Sequence, residues 1–164
     1  MMLRKEIKKR IFENKDILFI KTTNIDYYVL VNIYEYLTKV KNPIILLCST
    51  GGDGESANGI VDLIDNCGKD VAIVGLGCVQ SAATFIMAHG KPRLAFKRCR
   101  FFTHLAKSNE KWYQKIKSNS SQKMWYRYWC EEWGNLNLPF LGNTKYKYFW
   151  SDEAKKIGLI DEII

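Results

Sequence analysis

The sequence predicts an α/β fold of repeated β-α-β units around a mostly parallel sheet. Three observations predict it. Short apolar runs alternate with segments of helical periodicity over the first two thirds of the chain. Two of those runs, "IILLC" (44–48) and "VAIVG" (71–75), are apolar at every position, as suits strands covered by helices on both faces. The breaks between runs carry helix caps and glycines, and such alternation is resolved by helix crossovers between parallel strands.

Each element follows from its own residues. "ILFIK" (17–21) reads as a strand. "TTNIDYYVLVNIYEYLTKV" opens with a capping box at Thr23 and Asp26 and sets Leu30, Ile33, Tyr34 and Leu37 on one helical face. Pro43 ends that segment before the strand at 44–48. After "STGGDGESANG" a second helix carries Ala57, Ile60, Val61 and Ile64 on one stripe and stops at Gly68. The strand at 71–75 leads into a third helix, "SAATFIMAH", and short strands follow at 93–96 and 100–103. Residues 107–133 read as a long, less regular helix, and "GNLNLPFLGN" as a loop. In "SDEAKKIGLIDEII", Ser151 is the expected cap, Asp152 and Glu153 complement the first turn, and Gly158 terminates a short helix before a final strand. With no repeat and no linker, the 164 residues are expected to form a single domain.

Composition excludes several classes. No apolar stretch is long enough to span a bilayer, and the charged N-terminus, "MMLRKEIKKRIFENK", lacks the apolar middle of a secretion signal. The five cysteines form no C-x-x-C pair, which suits reduced thiols in a cytosol-like compartment, cytoplasm or plastid stroma, and argues against a zinc site. The net charge of +8 is concentrated between Lys97 and Trp150, where eleven Lys and Arg face three Glu and all five tryptophans lie. Without a nucleic-acid motif, this pattern is better read as an amphipathic helix with a basic outer face and an aromatic inner one than as a nucleic-acid surface. So many aromatics also point to a cyclic oligomer that covers them.

Loops that follow parallel strands converge on the carboxyl edge of the sheet, where ligands bind. Gly51 and Gly52 follow one strand there, and Ser81 the next. Ser81 alone is an ordinary helix cap. In company it reads differently: Ser81 as nucleophile, His104 at the end of "RFFTH" as base, and the N–H groups of Gly52 and Ala82 as an oxyanion hole. The G-x-S-x-G elbow of α/β-hydrolases is missing. His89 competes as base, but stands about two helical turns from Ser81 and should point away from the edge.

The order "LLCSTGG…GIVDLID…VGLGCVQSAATFIMAHG…CRFFTH…FWSDEAKKIGLIDEII" resembles the proteolytic subunit of Clp protease, the ClpP family of the crotonase-like fold. The likeness covers about residues 10–104 and 147–164. By that resemblance "STGG" answers the family's "SPGG" and supplies the oxyanion glycine, Gly52. "VQSAA" answers the stretch with the nucleophile, so that Ser81 is the nucleophile and Ala82 the second oxyanion donor. His104 answers the base. The step of 29 residues from Gly52 to Ser81 fits the family spacing. The resemblance implies a serine endopeptidase that cleaves peptides through an acyl-enzyme and needs no cofactor or metal. It also implies a heptameric ring, stacked in pairs through a handle at about residues 107–146.

Three departures bear on that implication. The family's triad aspartate falls on Lys147, which cannot orient an imidazole; Asn143 and Asp152 are the nearest substitutes in sequence. Only about sixteen residues precede the first strand, short for the segment that helps dock a Clp-type ATPase. The stretch after His104 lacks the handle's glycines and is basic and tryptophan-rich. The alternative to a peptidase is therefore a catalytically silent structural subunit of such a ring. A third reading, a crotonase-type enzyme on coenzyme A thioesters, is disfavoured by Ser81 and His104.

Overall fold

The computed structural model describes residues 4–104 and 146–164, the side chains of residues 104, 146 and 147 excepted. The helix expected over residues 107–133 lies outside the described residues, as does the body of the expected handle. Two compact units make up the chain, residues 1–102 with 148–164, and residues 103–147. Among the described residues the elements in order are α1 (Arg4–Glu13), β1 (Ile17–Thr22), α2 (Tyr27–Lys39), β2 (Ile44–Ser49), α3 (Gly54–Asn66), β3 (Ala72–Gln80), α4 (Ala82–Ala88), β4 (Arg93–Ala95), β5 (Arg100–His104), β6 (Tyr146–Trp150), α5 (Ser151–Lys156) and β7 (Glu162–Ile163).

The sheet runs β1-β2-β3-β4-β7, parallel at each pairing, as the alternation predicts. The strand β3 is longer than the apolar run 71–75 suggested. Its first half pairs with β4 through Ile73, Val74 and Gly75, and its second half with β5 through Cys78, Val79 and Gln80. The extra length reads poorly in sequence because Gly75, Gly77 and Gln80 break the apolar run. Along the β2 edge the register slips: Leu47 faces Gly75, but Ser49 faces Val79.

Both faces of the sheet are covered. Ile7 of α1 packs on Ile44, Leu46, Ala72, Val74 and Leu94. On the other side α2 packs on α3 and α3 on α4, while α2 also meets β1 and α4 meets β2 and β3. Burial of the kind Ile7, Ile44 and Ile73 undergo contributes about 2–3 kcal/mol per side chain. The charged α1 is a helix with only Ile7 and Arg10 buried. The Arg10 guanidinium donates to the carbonyls of Lys15, Asp16 and Asn42 at 3.3, 3.1 and 2.9 Å, which ties α1 to the turns beneath it.

Three local expectations are corrected. The N-cap of α2 is Asp26 alone, whose carboxylate accepts from the N–H groups of Tyr28 and Val29; Thr23 lies outside the helix, so no capping box forms. Tyr34 is 56% exposed, because it sits at the border of the stripe made by Ile33 and Leu37. Ser151 is buried inside α5 rather than at its cap; its Oγ lies 2.8 Å from the Phe96 carbonyl and 3.2 Å from that of Cys99. Gly68 and Gly158 follow α3 and α5 with φ of +69° and +78°, the left-handed turn expected of helix terminators.

The cap assignment is testable. Asp26→Ala should lower unfolding free energy in urea by about 1 kcal/mol, whereas Thr23→Ala should stay within about 0.5 kcal/mol of the parent. Equal losses at the two positions would restore the capping box.

Candidate active site

The site is assembled where β2 and β3 run out. At the end of β2, Ser49 is buried and its Oγ accepts from the Gly51 N–H at 3.1 Å. Gly51 and Gly52 then take φ of +101° and +155°, values that L side chains rarely adopt. The Gly51 carbonyl accepts from Ile25 N–H, and Asp53 N–H donates to the Ile25 carbonyl, both at 2.7 Å. These two bonds form a one-residue parallel bridge between Ile25 and Gly52. Because backbone groups alternate in direction along an extended segment, the Gly52 N–H faces away from Ile25. A Cβ on Gly52 would stand 2.2 Å from the Ile25 nitrogen, so only glycine allows the bridge. Asp53 caps α3 by accepting from Ser56 N–H at 2.7 Å, a bond that holds its carboxyl below the ordinary range.

Ser81 stands against this loop. Its N–H donates to the Phe102 carbonyl at 2.8 Å, extending the β3–β5 ladder by one bond. The next residue is already helical, so the chain turns within Ser81 itself, at φ +52° and ψ −124°. A non-glycine residue in such a region costs on the order of 1–3 kcal/mol and persists only where its surroundings enforce it. The Ser81 carbonyl accepts from both the N–H and the hydroxyl of Thr84. Its hydroxyl makes no capping bond to α4, which removes the ordinary account of a serine at a helix start. The strained strand-to-helix turn of the G-x-S-x-G elbow is thus present without its motif.

The glycine loop and the serine turn touch. A Cβ on Gly51 would meet Ser81 Cβ at 2.7 Å, the Gln80 carbonyl at 2.8 Å and the Ala82 nitrogen at 3.1 Å. Ser81, Ala82 and Gly51 therefore form one cluster within the first unit, and Gly52 is the next residue of the loop. Every residue of α4 is buried, and its far end is tied to α3 where His89 Nδ1 lies 2.8 Å from Asp65 Oδ2. His89 is buried against Phe85, with ring centroids 5.0 Å apart, and is turned toward α3. His104 is the last residue of β5 and Lys147 the second of β6; both fall in the second unit, and their side chains lie outside the described residues, as does Asn143. Asp152 is exposed in the first turn of α5.

Sequence reasoning passed over Ser49, Ile25 and Thr84. The first residue of "STGG" was the available signal for Ser49. Ile25 and Thr84 carry no local signal, since both act through backbone partners distant in sequence or hidden in a helix. Among the described residues no group of three or more His, Cys, Asp and Glu could hold a metal, and no helix is long and apolar enough to cross a membrane.

The family model described as Clp protease matches residues 4–124, a span that holds Gly52, Ser81, Ala82 and His104 and ends before Lys147. Of solved structures, 484 chains match. A mutant of ClpP1 from Listeria monocytogenes is similar with a TM-score of 0.77 at 20% identity, over 98% of this chain and 94% of that one. At that identity the likeness shows the fold, which is that of ClpP. No curated protein matches.

The two glycine types predict different mutational costs. Gly52→Ala should destabilise by about 3 kcal/mol or more, because both the backbone angle and the Ile25 contact forbid a side chain. Gly68→Ala, with nothing within 4 Å of its Cβ, should cost about 1 kcal/mol. Urea midpoints at constant slope would measure both; similar costs would contradict the packed bridge.

Proposed function

The chain belongs to the Clp protease family, and from that premise we propose that it is a serine peptidase subunit with Ser81 as nucleophile. The observation that carries this reading is the Ser81 turn: a strained, uncapped serine with a glycine loop pressed against it. Strain of that kind is retained where it aims a side chain that local stability does not need.

In the proposed reaction Ser81 Oγ attacks the carbonyl of a bound peptide and passes its proton to His104. The N–H groups of Gly52 and Ala82 hold the oxyanion as it develops. The protonated imidazole then gives its proton to the leaving amine, an acyl-enzyme remains on Ser81, and water releases it. Lys147 falls on the family's acid position, and loss of that acid lowers turnover by about 10⁴ in Ser-His-Asp enzymes. The subunit is accordingly a slow peptidase, made of one Clp-type domain with a handle at about residues 107–146. It assembles into a heptameric ring that covers its aromatic surface. The competing reading, a structural subunit without chemistry, draws its support from Lys147 alone.

A fluorophosphonate probe separates the two. The parent protein should be labelled and Ser81→Ala should not; an unlabelled parent would leave the structural reading. On a fluorogenic peptide, Lys147→Asp should raise turnover by about tenfold or more, since a carboxylate there orients His104 and stabilises its charged form. A gain that survives in the double variant with Ser81→Ala would sink the assignment. Light scattering should show a ring, and a monomer at micromolar concentration would overturn the assembly.

A further inference from the structure

Cys48 and Cys78 meet at the slip in register between β2 and β3. With Leu47 opposite Gly75 and Ser49 opposite Val79, the single residue Cys48 faces three, Leu76, Gly77 and Cys78. Gly77 takes a φ of +68°, and a Cβ on it would lie 3.3 Å from Cys48 Sγ. A Cβ on Gly75 would likewise lie 3.2 Å from Cys99 Sγ, so two glycines clear the room that these sulfurs fill. Cys48 and Cys78 are half-buried and within reach of a small oxidant, whereas Cys99 is buried. Neighbouring strands stand about 4.8 Å apart, inside the span of about 4.4–6.8 Å between Cα atoms that a disulfide bridges.

We propose that Cys48 and Cys78 are an oxidation site, closing reversibly to a disulfide one residue before Ser49 and three before Ser81. With a hydroperoxide as oxidant, the Cys48 thiolate attacks the terminal peroxide oxygen, the O–O bond breaks, and Cys48 becomes a sulfenic acid while the other oxygen leaves with the proton that the thiol gave up, as water or alcohol. The Cys78 sulfur then attacks the Cys48 sulfur, the S–O bond breaks, and the sulfenic hydroxyl leaves as water with the Cys78 proton. The pair gives up two electrons and the peroxide takes them. Burial, with Cys48 beside it, pushes the Cys78 thiol up; the same disulfide results whichever of the two sulfurs meets the peroxide first. Cys99, pushed up to about 12 by burial, stays protonated and inert. A link here would clamp the register slip from which both Ser49 and Ser81 depart. Its effect on Ser81 rests on the peptidase reading; formation of the bond does not.

The test treats the full chain with hydrogen peroxide. Intact mass should show loss of two hydrogens, reversed by a thiol reductant, and peptide mapping should join the peptides holding Cys48 and Cys78. The link should vanish in Cys48→Ser and in Cys78→Ser. A pairing through Cys67 or Cys130, or sulfenic acid without a link, would overturn the proposal. Fluorophosphonate labelling of Ser81 should fall severalfold in the oxidised parent, recover on reduction and stay level in Cys48→Ser. Level labelling despite the link refutes the effect on Ser81, and an unlabelled reduced protein refutes the peptidase reading while mass still decides the disulfide.

Discussion

One hydrogen bond sets the geometry of the site, from Ser81 N–H to the Phe102 carbonyl. It keeps Ser81 in the β3–β5 ladder by its amide while Ala82 already starts α4. No loop residue separates strand from helix, so the whole reversal falls on the φ and ψ of one serine. Strand β5 must therefore be in place before the turn is worth its strain. That strand is fixed in turn by stacking of Phe101 on Phe149 at 5.6 Å and of Phe102 on Tyr148 at 4.3 Å. Aromatic contacts on the two faces of β5 and backbone strain at the sheet's edge belong to one balance.

Much of the architecture was legible because apolar pattern and burial are the same quantity seen twice. Ile44, Ile45 and Leu47 are apolar in sequence and fully buried in the sheet. The stripe Ala57, Ile60, Val61 and Ile64 is buried along α3. What stayed hidden depended on partners far away in the chain. The α1 helix has a weak apolar stripe, and Arg10 holds it through three carbonyls that no pattern foretells. Tyr34 and Ser151 were misjudged for a related reason: helical spacing and cap preference are local, while exposure and the Phe96 carbonyl are not.

The candidate site was legible by residue type and order, not by mechanism. "STGG" and "VQSAA" pointed to Gly52, Ser81 and Ala82, and in the first unit Gly51, the neighbour of Gly52, lies against Ser81 and Ala82. The sequence could not say that Gly51 abuts Ser81 or that Ile25 bridges Gly52, because both contacts are made by backbone. It likewise favoured a capping role for Ser81 on local grounds, which the absence of a capping bond removes.

The slip between β2 and β3 has a consequence for how the site tolerates insertion and deletion. Between paired positions β2 spends two residue steps, from Leu47 to Ser49, where β3 spends four, from Gly75 to Val79. The surplus is even. Since side chains alternate with a period of two, Val79 and the residues after it keep the parity they would have in an unbroken strand. A surplus of one would exchange the two faces of everything downstream, Ser81 included. Excising two residues here would preserve parity but draw the strand end back by up to about 6.6 Å, leaving the serine on the correct face and out of reach of its glycines. Evolution at this edge can therefore change reach in even steps, while odd steps cost the site its handedness.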